Sequence, residues 1–146
     1  MTGIRASRPD EVERLFEIWQ AAVAATHDFV APEDLELFAR IVRDQYLPNA
    51  AFWVVTDEAD RALGFLGMSG SKVDALFIDP AHGGRGLGTA LMDHARTLAS
   101  DLSVDVNEQN AAALAFYRRL GFRQVGRSPL DDEGRPYPLL HLRLEP

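Results

Sequence analysis

The sequence predicts an α/β (α+β) fold: a mixed, mostly antiparallel central sheet of about six or seven strands with helices on both faces. Three observations carry this. Two stretches near the start repeat apolar residues at three- and four-residue steps, the period of a helix buried along one face. The middle of the chain holds short runs of β-formers separated by polar turns, the pattern of a hairpin. From residue 73 onward strand and helix patterns alternate, which makes the sheet mixed. At 146 residues, with no internal repeat or linker, the chain reads as one domain over 1–146. That length suffices to bury roughly two thirds of the unfolded surface.

Taken in order, a short strand is expected around Ile4. Pro9-Asp10-Glu11 then opens a helix, with proline in the first turn and acids at its positive end. Val12, Leu15, Phe16, Trp19, Ala22 and Val23 form its apolar face. A second helix starts at Pro32-Glu33-Asp34, carries Leu35, Phe38, Ile41 and Val42, and ends near Pro48. Strands over 51–56 and 63–67 flank the turn Asp57-Glu58-Ala59-Asp60, and a strand over 73–78 is closed by Asp79-Pro80. A glycine-rich turn leads into a helix with Leu87, Ala90, Leu91, Ala95 and Leu98. A strand over 102–106, a helix over 110–120 and strands over 122–126 and 139–144 complete the chain. Trp19, Phe52 and Trp53 are assigned to the core.

Composition narrows the function. There is no cysteine, which removes a disulfide scaffold, a cysteine zinc site and a thiol nucleophile together. The net charge of −7 leaves no basic footprint for a nucleic acid. Lys72 is the only lysine. No run of about 18 apolar residues is present to span a membrane, and the residues after Met1 do not read as a secretion signal. A cytoplasmic protein is expected.

Two segments carry chemistry. In the first, Leu76-Phe77-Ile78-Asp79-Pro80-Ala81-His82-Gly83-Gly84-Arg85-Gly86-Leu87-Gly88-Thr89, a strand runs through glycines directly into an amphipathic helix. Glycines let the backbone approach a ligand closely. The unpaired amides of a first helical turn, with the helix dipole, suit a pyrophosphate, and Arg85 can add a charged contact. A Walker loop is absent, since no Gly-Lys precedes Ser or Thr. The dinucleotide fingerprint is weakened, because Gly84, Gly86 and Gly88 alternate; an acid does follow about 20 residues later, at Asp105, but two mononucleotide-binding halves hardly fit the rest of the chain. In the second segment Asn110 suits a helix N-cap and Gly121 the left-handed position after the helix. Seven residues separate Asn110 from Tyr117, so the two share one helical face about 10 Å apart.

Together the segments resemble the GCN5-related N-acetyltransferases (GNAT). That family's pattern is Arg/Gln-x-x-Gly-x-Gly/Ala at the loop and Asn-x-x-Ala-x-x-Phe/Leu-Tyr-x-x-x-Gly-Phe further on. Asn110, Ala113, Phe116, Tyr117, Gly121 and Phe122 match the second motif, and Gly86 and Gly88 match the first. Gly83 stands in the slot that usually holds Arg or Gln, so Arg85 or backbone amides must supply that contact.

The resemblance implies an acetyltransferase that moves an acetyl group from acetyl-coenzyme A to a primary amine by direct attack, without a metal. The strands over 73–78 and 102–106 would splay apart. Leu76, Phe77 and Ile78 would pair with the pantetheine arm as an added strand, and Gly84, Arg85, Gly86, Leu87, Gly88 and Thr89 would hold the pyrophosphate. Asn110 and Phe116 would contact the cofactor, and Tyr117 would protonate the departing thiolate. The amine must shed a proton before attack; Asp105, five residues before Asn110, is the candidate base, where some members carry a glutamate. Thr26, His27 and Phe29 lie where the family builds its acceptor pocket, with His141 a further candidate there. His82 and His94 read as surface residues, and the four histidines show no metal-ligand spacing. The alternative reading is a non-catalytic module that senses acetyl-coenzyme A. A homodimer is common in the family.

Overall fold

In the computed structural model, which describes residues 3–145, seven strands form one sheet in the order β1-β2-β3-β4-β5-β7-β6. The strands are β1 (Gly3–Ala6), β2 (Phe52–Thr56), β3 (Ala62–Ser69), β4 (Lys72–Ile78), β5 (Ser103–Asn107), β6 (Arg123–Ser128) and β7 (Leu139–Arg143). Every neighbouring pair is antiparallel except β4 and β5. The last strand inserts between β5 and β6, so the β6–β7 connection returns beside the one parallel pair.

Helices cover both faces, as the alternation of apolar residues requires. Helix α1 (Val12–Thr26) packs Leu15, Ile18, Trp19 and Val23 against Phe52, Val54, Phe65 and Ala75. On the other face α3 (Leu87–Leu98) and α4 (Ala111–Arg119) pack Leu91, Met92, Leu114 and Tyr117 onto Val55, Leu66, Val73, Val104 and Leu142. Leu91 is fully buried at the centre of that layer. Leu91→Ala is expected to cost about 2–5 kcal/mol through the cavity it leaves. The check is the urea midpoint, which should fall with an unchanged slope.

Two segments differ from the sequence expectation. Proline 9 opens a 3₁₀ turn (Pro9–Glu11) before α1 proper. The single helix expected to reach Pro48 is three pieces: α2 (Pro32–Ile41), a π-helical turn (Val42–Tyr46) and a 3₁₀ turn (Leu47–Asn49). Proline 48 has no N–H to continue the ladder, and the helix tightens and ends there.

A third feature positions the site. In the β3–β4 register, Gly67 faces Ala75 but Met68 faces Val73, so Asp74 is the extra residue of a β-bulge. The bulge reverses the alternation of β4: Val73 faces the α3–α4 core and Ala75 the α1 core. Pairing between β4 and β5 stops at the same place, after Lys72↔Ser103 and Val73↔Val104.

Candidate active site

Beyond the bulge β4 and β5 diverge. The gap between them is a cavity of about 120 Å³ bounded by Leu76 and Phe77 on one side, Asp105 and Asn107 on the other, with Asn110 and Tyr117 behind. A larger cavity of about 450 Å³ continues from it past Ile78 to Gly83, Gly88 and Phe116, and shares Leu76, Phe77, Asn110 and Tyr117 with the first. From Asp74 to Ile78 the β5-facing edge of β4 has no strand partner, so its backbone groups can pair with an extended amide-bearing ligand.

The far end of this channel suits an anion. Gly84 and Gly86 take the left-handed conformation, at φ 78° and 75°. No side chain caps α3, which leaves the amides of its first turn for a ligand. A Cβ on Gly88 would sit 3.3 Å from the Phe116 ring, so glycine there keeps the helix start close to α4. Arg85 and Thr89 are exposed at the rim, whereas the Leu87 side chain is buried, so only its backbone can face a ligand. Gly83 is extended and exposed. The set fits a pyrophosphate followed by an amide-bearing arm.

Asn110 caps α4, its Oδ1 accepting from the Ala113 N–H at 3.1 Å. Tyr117 is 6% exposed and edge-on to both Phe116 and Phe122. Among the described residues its hydroxyl makes no hydrogen bond, and burial pushes the phenol well above its usual range. At neutral pH it is a protonated donor facing the cavity between the strands.

On the face shared by Ser103, Asp105 and Asn107, Asp105 Oδ1 lies 2.6 Å from His141 Nδ1, and Asp105 Oδ2 lies 2.9 Å from Lys72 Nζ. Burial pushes this carboxyl up, but hydrogen bonds from His141 and Lys72 together outweigh it and hold Asp105 below the usual carboxylate range. His141 Nδ1 donates to Asp105, so Nε2 faces the Ser128 hydroxyl at 2.7 Å. His141 lines neither cavity; it stands one strand behind, reaching the site through Asp105.

Thr26, His27 and Phe29 meet at the end of α1. The Thr26 hydroxyl donates to the Ala22 carbonyl and lies 2.7 Å from His27 Nδ1. His27 Nδ1 must then donate, leaving Nε2 as an acceptor. Burial holds His27 below its usual range and so neutral. Its ring packs on Phe29, and Phe29 on Tyr137. His27 borders both channel cavities and a third of about 290 Å³, roofed by α2 and the β6–β7 loop.

The sequence did not reveal the clasp over this third cavity. The Tyr137 hydroxyl donates to Asp34 Oδ2 at 2.5 Å and accepts from the Ala31 N–H at 3.0 Å. Asp34 reads from sequence as a first-turn acid, and no local signal links it to a residue 103 positions on. Nor did it reveal Lys72 or Ser128 as partners in the Asp105 network. His82 and His94, expected at the surface, are half-buried; His94 packs edge-on against Trp53 at 4.3 Å, because α3 covers that face of β2. Among the described residues no group of three or more His, Asp or Glu is placed to hold a metal ion, and no helix is long and apolar enough to cross a membrane.

Comparison with known proteins agrees with this geometry. Residues 48–124 match the family model of the acetyltransferase (GNAT) domain. The chain is 46% identical over 142 residues to a Salmonella typhimurium protein named peptidyl-lysine N-acetyltransferase YjaB, covering 97% of each. It superposes on the solution structure of apo YjaB from Escherichia coli with a TM-score of 0.93 and 46% identity, covering 98% of this chain and 97% of that one. The PaiA N-acetyltransferase of Thermoplasma acidophilum, solved in complex with coenzyme A, shares the fold at a TM-score of 0.81 and 17% identity, over 100% of this chain and 99% of that one.

Proposed function

Because the chain belongs to the GNAT family of acetyl-coenzyme A-dependent N-acetyltransferases, we propose that its acceptor is a peptidyl lysine, received in the groove under α2 and the β6–β7 loop. The observation that carries this is the meeting of two openings at one cleft. The coenzyme channel enters from the α3 and α4 side, the acceptor groove from the α1 and α2 side, and both border Phe77 and Asn107 or Asn110. The named activity of the YjaB relatives supports lysine as the amine.

Acetyl-coenzyme A supplies an activated acyl thioester. The first-turn amides of α3, with Gly84, Gly86 and Arg85, hold its pyrophosphate, and the free edge of Leu76, Phe77 and Ile78 aligns the pantetheine arm. Asn110 orients that arm while capping α4. Holding both reactants in one cleft removes much of the entropic barrier. Asp105 accepts the acceptor's proton and releases it to solvent, while His141 donates to its Oδ1 and holds the carboxylate in place. Tyr117 gives its proton to the leaving sulfur. Thr26, His27 and Phe29 shape the acceptor entrance. A homodimer and a cytoplasmic location remain part of the same proposal.

The test supplies a lysine peptide and its arginine counterpart with acetyl-coenzyme A and follows thiol release. Repeated turnover only with lysine, matched by peptide acetylation, is the expected result. Coenzyme binding without transfer to any amine would favour the sensor alternative.

A further inference from the structure

We infer that the protein acetylates itself on Lys72, an inference that rests on the proposed roles of the cleft and of Asp105. Lys72 is the only lysine in the chain. Its own neighbour across the parallel pair is Ser103, yet its Nζ lies 2.9 Å from Asp105, two residues further along β5. The side chain therefore leans toward the point where the strands part. That puts an alkylammonium on the group proposed to deprotonate the acceptor, in the position an incoming lysine would have to take.

The surroundings permit the reaction. Lys72 borders a groove of about 540 Å³ that shares Val73, Asp74, Ala75, Phe77 and Asp105 with the cleft between β4 and β5. Its side chain is 44% exposed, so the flexible stem can exchange partners without repacking the core. The other charged groups at this spot, Asp74 and Asp132, hold the ammonium in the groove.

The step balances without a further reactant. Nζ gives one proton to Asp105, and its lone pair forms the bond to the acetyl carbonyl carbon. The carbon–sulfur bond breaks, and sulfur leaves with the electron pair and takes the Tyr117 proton. Of the two protons Nζ loses overall, one restores Tyr117 and the other passes from Asp105 to solvent. The products are an acetamide on Lys72 and free coenzyme A. Acetylation removes the ammonium that competes with an acceptor for Asp105.

The experiment incubates the whole protein with isotopically labelled acetyl-coenzyme A and no acceptor, then reads intact mass and peptide maps. One acetyl per chain is expected, on the peptide carrying Lys72, with a first-order rate unchanged when the protein is diluted. Lys72→Arg, which keeps a cation beside Asp105, should lose the label while circular dichroism shows it folded. Asp105 raises the Lys72 pKa by hydrogen bonding, so uncatalysed acylation would be slower in the folded protein than in the urea-unfolded chain. Catalysis reverses that order, by about 100-fold or more. Label on the N-terminal amine alone, or no faster labelling than in the unfolded chain, overturns the inference. A lysine peptide assayed alongside separates the two failures: peptide acetylation with bare Lys72 overturns self-acetylation alone, and transfer to neither overturns the proposed function with it.

Discussion

Tyr117→Phe is expected to bind acetyl-coenzyme A as the parent does while kcat falls about 10²–10⁴-fold, the usual worth of a general acid. The substitution removes one oxygen and leaves the ring, so the packing against Phe116 and Phe122 persists. Because that hydroxyl has no hydrogen-bond partner among the described residues, no buried donor or acceptor is orphaned, and the urea midpoint should stay close to the parent's. Burial raises the Tyr117 pKa, which keeps the donor form populated past the ordinary tyrosine value of about 10. The parent's kcat should therefore show no decline near that pH from loss of the acid. Single-turnover thiol release, read beside calorimetric titration of the coenzyme, checks both statements. Unchanged turnover in the variant removes Tyr117 from the mechanism, and weakened coenzyme binding makes it a packing residue.

Much of this site is legible in the sequence because its signals are local. Asn110 and Tyr117 lie on one short helix, where a fixed rise and pitch set their separation. The glycine loop announces itself by composition, and Gly84 and Gly86 take the left-handed dihedrals that motivate glycine there. The alternation of Val104 and Val106 with Asp105 places the acid on the opposite face from the α3–α4 core, and the burial agrees. What local signals miss is contact across the sheet. The Asp105–His141 pair depends on β7 inserting between β5 and β6, and Lys72 reaches Asp105 only because β4 and β5 run parallel before they part. The bulge at Asp74 is equally silent, since Lys72-Val73-Asp74-Ala75 reads as an ordinary alternating strand. The π-helical turn at Val42–Tyr46 continues the apolar period of a helix, so nothing local sets it apart from one.

Asp105→Asn is expected to lower kcat/KM for a lysine peptide about 10²-fold or more at neutral pH, with coenzyme affinity little changed. An acceptor lysine is almost wholly protonated there, its pKa near 10.4, so transfer waits on a group that takes the proton. Asparagine keeps the shape and can still accept from His141, but it carries no charge and takes up no proton. The loss should therefore shrink as pH rises toward 10, where the amine sheds its proton unaided. A merely structural role predicts a loss that pH does not repair. In the parent, the hydrogen bonds from His141 and Lys72 hold Asp105 below the usual carboxylate range. A carboxyl with a depressed folded-state pKa contributes stability that is present above its unfolded value and is lost as pH falls through the folded one. The parent should thus lose this contribution only below pH of about 4, and Asp105→Asn should flatten that part of its acid-unfolding curve. His141→Gln is the companion variant. It withdraws one of the two hydrogen bonds that depress Asp105, so its pH–rate profile should shift on the acid side while the coenzyme still binds. If His141→Gln leaves that profile where it was, Asp105 works without its neighbour.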